Sequence, residues 1–211
     1  MITDINYNNK NIIRLVLIVM VLVIVSPLIF KHVLNGDTSN YLLRSMYTQV
    51  MGFIGILYLK LYYKPPKNSV FKSYCIRYMM ICIIVISIAN FPYKLYLTNA
   101  GKPLLYQYIV SLDNIRRLLF IAIWCFLIPL IEELFMRYYS YNIIKAKYGV
   151  SNAVIASSFL FMLFHGLPVK INILLLGVVF ALIYEKTNNI WSSIIVHSAT
   201  NIIWFTLVYF A

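Results

Sequence analysis

The chain has 211 residues, 62% of them hydrophobic and only 11% charged. Soluble domains run about 45–50% apolar and about 25% charged, so with a mean hydropathy of +0.82 an ordinary water-soluble globule is excluded. Seven Gly, seven Pro and three Cys are too few for a collagen-like, low-complexity or disulfide-framework chain. The net charge of +12, from 18 Lys+Arg against 6 Asp+Glu, fits basic residues flanking apolar spans against anionic head groups. No basic face with interleaved aromatics stands free of a span, so a nucleic-acid partner is not expected.

In chain order, the first apolar run is Ile12 to Phe30, after Lys10. It is long for a signal peptide, no small-residue cleavage site follows, and a retained span is expected. The second span is Tyr41 to Tyr63, punctuated by Pro65-Pro66, with Gln49 as a helix–helix hydrogen-bonding residue. The third is Tyr74 to about Leu97, interrupted at Asn90 and Pro92. Thr98 to Arg117 is expected to be a loop with a short amphipathic surface helix. The fourth span, Leu118 to about Tyr148, contains Pro129, Glu132, Glu133 and Arg137, and Gly149 ends it in the manner of a C-cap. Ser151 is the expected N-cap of the fifth, which runs to about Leu167. Pro168 to Tyr184 is the sixth, Glu185 to Asn189 a turn, and Ile190 to Phe210 the seventh. Each is about long enough to cross the hydrocarbon. The expected fold is an all-α, polytopic membrane helical bundle of about seven transmembrane helices. A slight excess of Lys and Arg on the side that holds the N-terminus places that end in the cytoplasm. Cys75, Cys82 and Cys125 have neither metal-knuckle nor disulfide spacing.

An ionisable residue inside a span costs about 2.5–3.5 kcal/mol on insertion scales, so each needs a reason. They concentrate late in the chain: Glu132, Glu133 and Arg137, then His165, then His197 with Asn201. Glu133 and His165 lie equally far before and after Gly149, about 24 Å along a helix axis at 1.5 Å per residue, so a hairpin turning there brings them to one depth. His197 and Asn201, four apart, share a helical face. Glu133 and Arg137, also four apart, can neutralise each other. Glu132 points about 100° away, lacks that partner, and as a desolvated carboxylate is the candidate general base. Glu132 and His165 could activate a water, with His197 and Asn201 holding a carbonyl oxygen or the tetrahedral oxyanion. Equally, Glu132, His165 and His197 could hold a divalent metal such as zinc, with an open position.

Glu132-Glu133-x-x-x-Arg137, then Phe161-x-x-x-His165, then His197-x-x-x-Asn201, on successive apolar spans, resembles the CAAX protease and bacteriocin-processing family of intramembrane endopeptidases. Gly177 to Thr187 followed by Ile190-Trp191 is similar to the connecting stretch of that family, with Ala181 where a second glycine is expected. The resemblance implies an all-helical membrane core over 118–205, joined to variable spans over 1–117 in one membrane domain. It implies Glu132 and His165 as water-activating residues and His197 with Asn201 as oxyanion support; Glu133, Arg137 and Phe161 are structural or supporting. The expected activity is hydrolysis of a peptide bond in a membrane-presented peptide or protein. The alternatives are a non-proteolytic bacteriocin self-immunity or envelope scaffold protein, and a transporter. Expected partners are membrane lipids, a membrane-associated peptide or protein substrate, and a bacteriocin or envelope protein. The abundance of Ile, Asn, Lys and Tyr suggests a bacterium with an AT-rich genome, hence a multi-pass protein of its cell membrane.

Overall fold

A computed structural model describes residues 14–15, 17–18, 41–70, 72–100, 104–165 and 170–210. Every described element is helical: α1 Tyr41–Tyr62, α2 Ser73–Ala100, α3 Leu104–Ser111, α4 Asn114–Ala122, α5 Ile128–Glu133, α6 Asn142–Phe164, α7 Ile171–Thr187 and α8 Ile190–Tyr209. Two π-helical segments, Ile123–Leu127 and Leu134–Tyr141, join α4 to α5 and α5 to α6.

Two helical stretches are long and apolar enough to cross a membrane, Asn114–Phe164 and Ile190–Tyr209. The apolar parts of α1 and α2, Gly52–Tyr62 and Ser73–Ile88, are shorter, so the described residues do not reach the expected seven spans. The first expected span lies outside them except at 14, 15, 17 and 18, as do Leu167 and Pro168. Large apolar side chains such as Leu61, Ile115, Leu118 and Phe210 are exposed, which suits hydrocarbon better than water. All three cysteines are free, Cys75 and Cys125 being buried.

Two boundaries differ from expectation. Helix α2 continues through Asn90 and Pro92 to Ala100; a proline removes one helical hydrogen bond, a loss that an apolar helix with the rest of its ladder intact can carry. The fourth helix begins at Asn114, not Leu118, because Asp113 caps it: its Oδ1 accepts the Arg116 N–H at 2.8 Å. Arg117, expected in a loop, instead donates from Nε to the Ile109 carbonyl at 3.2 Å and from Nη2 to Leu112 at 2.9 Å, closing the end of α3.

The chain divides into two compact units, residues 1–69 with 131–190, and residues 70–130 with 191–211. In the first, the chain doubles back at Gly149, whose φ of 82° and ψ of 174° suit only glycine. The contacts across this turn are nearly symmetric about it. Arg137 lies over the Phe161 ring, Phe135 stacks on Phe164 with centroids 6.1 Å apart, and Glu132 faces His165. The bend frees the Tyr148 carbonyl, which accepts from Asn152 Nδ2 at 2.8 Å. The unit then adds α7, whose contacts climb in step with the Leu134–Tyr141 segment. Arg137 meets Gly177 and Phe180, and Tyr141 meets Tyr184 and Glu185, so the two helical segments run parallel. Gly177 lets α7 approach α6: a Cβ there would stand 3.0 Å from the Ser158 Cα. Ala181, in place of the second expected glycine, is fully buried, so its methyl group is accommodated there.

Candidate active site

Glu132 and Glu133 occupy the last turn of α5, just before the π-helical Leu134–Tyr141. A π turn widens the helix and leaves acceptors for side chains. Ser140 Oγ donates to the Phe135 carbonyl at 2.8 Å, and Asn142 Nδ2 reaches the Arg137 and Tyr138 carbonyls at 3.3 and 2.9 Å and the Tyr184 hydroxyl at 2.7 Å. The segment after the two glutamates is therefore locked on side chains of its own unit.

Glu133 and Arg137 are both 0% exposed, with Arg137 Nε 3.4 Å from Glu133 Oε2. Arg137 also donates from Nη2 to the Gly177 carbonyl at 3.1 Å, and its Cζ lies 4.8 Å from the centre of the Phe161 ring and 5.8 Å from that of Phe180. A buried cation is costly unless paired; here a carboxylate, one carbonyl and two aromatic faces surround it, while Nε and Nη1 make no hydrogen bond among the described residues. Phe161 is thus a wall for Arg137 as well as a neighbour of His165, whose ring centre is 4.6 Å away.

Glu132 is buried and has partners that its local sequence did not reveal. Its Oε1 accepts from Gln49 Nε2 at 2.9 Å, across 83 residues, which corrects the expectation of a partnerless carboxylate. The i,i+4 rule sees only one helix, whereas Gln49 arrives from α1. The other oxygen, Oε2, faces His165 Nε2 at 4.0 Å; the imidazole is 30% exposed and Glu132 5%. His165 Nδ1 lies 2.9 Å from the Phe161 carbonyl. A carbonyl can only accept, so Nδ1 carries a hydrogen, and in the neutral ring Nε2 then presents its lone pair toward Glu132.

Two acceptors 4.0 Å apart do not bond to each other. One water at about 2.8 Å from both would see them at about 90°, within the range its two hydrogens can serve. A zinc ion at about 2.0–2.1 Å from each would need them nearly opposite, whereas a tetrahedral site needs about 109°. Among the described residues no group of three His, Cys, Asp or Glu could hold a metal ion. The present spacing of Glu132 and His165 therefore does not fit a shared metal.

His197 and Asn201 belong to the second unit. His197 is buried at 3% exposure. Asn201 Nδ2 donates to the Trp124 carbonyl at 3.0 Å. The local sequence explains this bond. In the Ile123–Leu127 π turn, the Ile128 N–H goes to Ile123, and the residue five beyond Trp124 is Pro129, which has no N–H. The Trp124 carbonyl is left short of a backbone donor, and Asn201 supplies one of its two amide hydrogens. The second unit also holds an apolar cavity of about 440 Å³, lined by residues including Phe126, Leu130, Trp191 and Ile194.

The described residues form an all-helical, strongly apolar protein in which a buried carboxylate faces a partly exposed imidazole. Residues 114–203 match the family described as Type II CAAX prenyl endopeptidase Rce1-like. This is the CAAX protease family that the three motifs resemble, and the matched segment contains all three. No curated protein and no solved structure matches the chain. The matched segment covers 90 of the 211 residues, and Gln49 lies outside it.

Proposed function

We propose that this protein is an intramembrane endopeptidase that hydrolyses a peptide bond in a membrane-presented peptide or protein. The observation that carries the reading is the couple of Glu132 Oε2 and His165 Nε2, 4.0 Å apart, with the imidazole held in the acceptor tautomer by the Phe161 carbonyl. A water between them donates one hydrogen to each and turns its oxygen lone pair outward. As that oxygen attacks the scissile carbonyl carbon, Glu132 takes the water's proton while His165 holds the remaining O–H. Carbonyl π electrons move to the oxygen, giving the tetrahedral oxyanion. Glu132 then returns its proton to the departing amine nitrogen, the C–N bond breaks, and acid and amine products leave. By the family resemblance alone, His197 and Asn201 would support the oxyanion. The family description also suggests the substrate class, a membrane-associated peptide, and a multi-pass cell-membrane location follows from the same reading.

The test is cleavage of a quenched fluorogenic peptide bearing a farnesyl-cysteine, by purified protein in detergent and in proteoliposomes. Glu132→Gln, which keeps shape and removes the base, is expected to lower kcat by at least about 100-fold, with an unchanged melting temperature. Dialysis against EDTA is expected to leave the wild-type rate intact; a loss reversed by zinc overturns the metal-free route. Unchanged cleavage by Glu132→Gln overturns the hydrolytic reading and favours a binding scaffold on the same fold.

A further inference from the structure

The matched family segment begins at residue 114, yet the base is held by a residue far upstream. On α1, Gln49, Gly52, Ile56 and Leu59, continued by Tyr63 just past its end, follow one another at steps of three and four and are all buried, a single helical face. Its glycines allow close approach: a Cβ on Gly52 would lie 3.4 Å from Ile131 Cγ2 and from Phe164 Cζ, and one on Gly55 3.1 Å from Phe135 Cε2. Ile131 and Phe164 are the chain neighbours of Glu132 and His165. Helix α1 thus seats Gln49 directly against the couple, with Nε2 2.9 Å from Glu132 Oε1. The amide oxygen of Gln49 is buried without a hydrogen-bond partner among the described residues. The bond to Glu132 is therefore the interaction that accounts for an amide at this depth, since a buried polar group left unpaired costs free energy.

Resting on the hydrolytic reading above, we infer that Gln49 is a positioning residue of the reaction, fixing which carboxylate oxygen of Glu132 receives the water's proton. An amide N–H must meet a lone pair, so one of the lone pairs of Oε1 is engaged, and protonating that oxygen would weaken the bond, since a carboxylate oxygen accepts more strongly than a hydroxyl oxygen. The proton lands on Oε2, the oxygen 4.0 Å from His165 Nε2 and next to the water. The same bond prevents the carboxyl from rotating about its Cγ–Cδ axis. The N-terminal part of the chain therefore contributes to the chemistry as well as to packing.

Two substitutions test this on the full-length protein with the farnesyl-cysteine peptide as probe. Gln49→Met keeps the volume and removes the donor; kcat is expected to fall about 100-fold, the scale of a misplaced catalytic group, with KM within twofold. Gln49→Glu keeps the shape but can donate to Glu132 only when the two carboxyls share one proton. Its pH optimum is expected to move to acid by at least one unit, a change that lost packing does not produce. His165, Glu133 and Arg137, the other titratable or charged groups around the pair, are untouched in both variants. Wild-type cleavage with Gln49→Met within threefold of it overturns the positioning role and leaves the hydrolytic reading standing. A fall in Gln49→Met with an unmoved Gln49→Glu profile also overturns it. Should Gln49→Met fail to accumulate, the Gln49→Glu profile decides alone. Absence of cleavage by the wild type removes the reading and the role together.

Discussion

Glu133 and its surroundings are sealed: the carboxylate and Arg137 are wholly buried, and a carbonyl and aromatic faces line the cation. Glu132, one residue earlier, is also buried but faces an imidazole that is 30% exposed. A rotation of about 100° along one helix thus separates a charge pair that holds three helices together from a carboxylate that faces a partly exposed imidazole. The contrast teaches that adjacent identical residues acquire different chemistry from what the tertiary fold brings to each face. Closed electrostatics suits structure, whereas an acceptor with a route to solvent suits proton transfer.

The strongest way to break the comparison is to open the sealed side. Arg137→Met strands Glu133 as a buried charge without its partner, which costs about 3–5 kcal/mol, and it also releases the Gly177 carbonyl. The expected outcome is failure to accumulate folded protein, read from yield and from melting in detergent. The double replacement Glu133→Leu with Arg137→Met removes both charges and is expected to recover folding. Cleavage should return with it if Glu133 has no part in the chemistry; a folded but inactive double variant would erase the distinction between the two carboxylates.

How much of this contrast was legible beforehand depends on range. The Glu133–Arg137 pair follows from a four-residue spacing, and the approach of Glu132 to His165 follows from near-equal distances to Gly149, because a glycine that must turn the chain is a local signal. Gln49 was legible only as a polar group wanting a partner. Which partner it finds depends on how α1 packs, and no period in the sequence encodes a contact across 83 residues. The π turns were equally hidden. Pro129 signalled a disturbed helix, but that the Trp124 carbonyl would be served by Asn201 requires the tertiary structure. Helix α2 passing through Pro92 shows the converse, a strong local breaker overridden where the rest of the helix remains bonded.

A smaller perturbation sharpens the comparison by moving the wall instead of the charge. Gly177→Ala places a methyl 3.0 Å from the Ser158 backbone and 3.1 Å from its Cβ, so α6 and α7 must separate slightly. Overpacking of this kind costs about 1–3 kcal/mol. It also draws the Gly177 carbonyl from Arg137 Nη2, a bond of 3.1 Å, so the sealed side should weaken first. The expected result is a lower melting temperature with kcat largely kept in the folded fraction. A selective loss of kcat at unchanged stability would mean that the Glu132 side depends on this wall as well.

The smallest expected effect lies at the far end of α7, outside the apolar spans, where the acid–base couple is not involved. Glu185 Oε2 accepts from Lys145 Nζ at 2.6 Å and from the Tyr141 hydroxyl at 2.7 Å. Burial pushes the Glu185 carboxyl up, but these two hydrogen bonds and the lysine's charge outweigh it and hold it below the ordinary carboxylate value of 4.5. A carboxylate depressed in the fold contributes stability that is fully present above its unfolded value and is lost as pH falls through its folded one. Detergent melts taken from roughly pH 6 down to pH 3, spanning the ordinary carboxylate range, should therefore show a decline that Lys145→Met makes shallower. With Lys145 37% and Glu185 26% exposed, solvent screens the pair, and the loss at neutral pH should stay below about 1 kcal/mol. The cleavage rate at neutral pH should not change. If it does, the parallel packing of α7 against Leu134–Tyr141 transmits strain from this end to the couple, and the sealed region between them is less rigid than its burial implies.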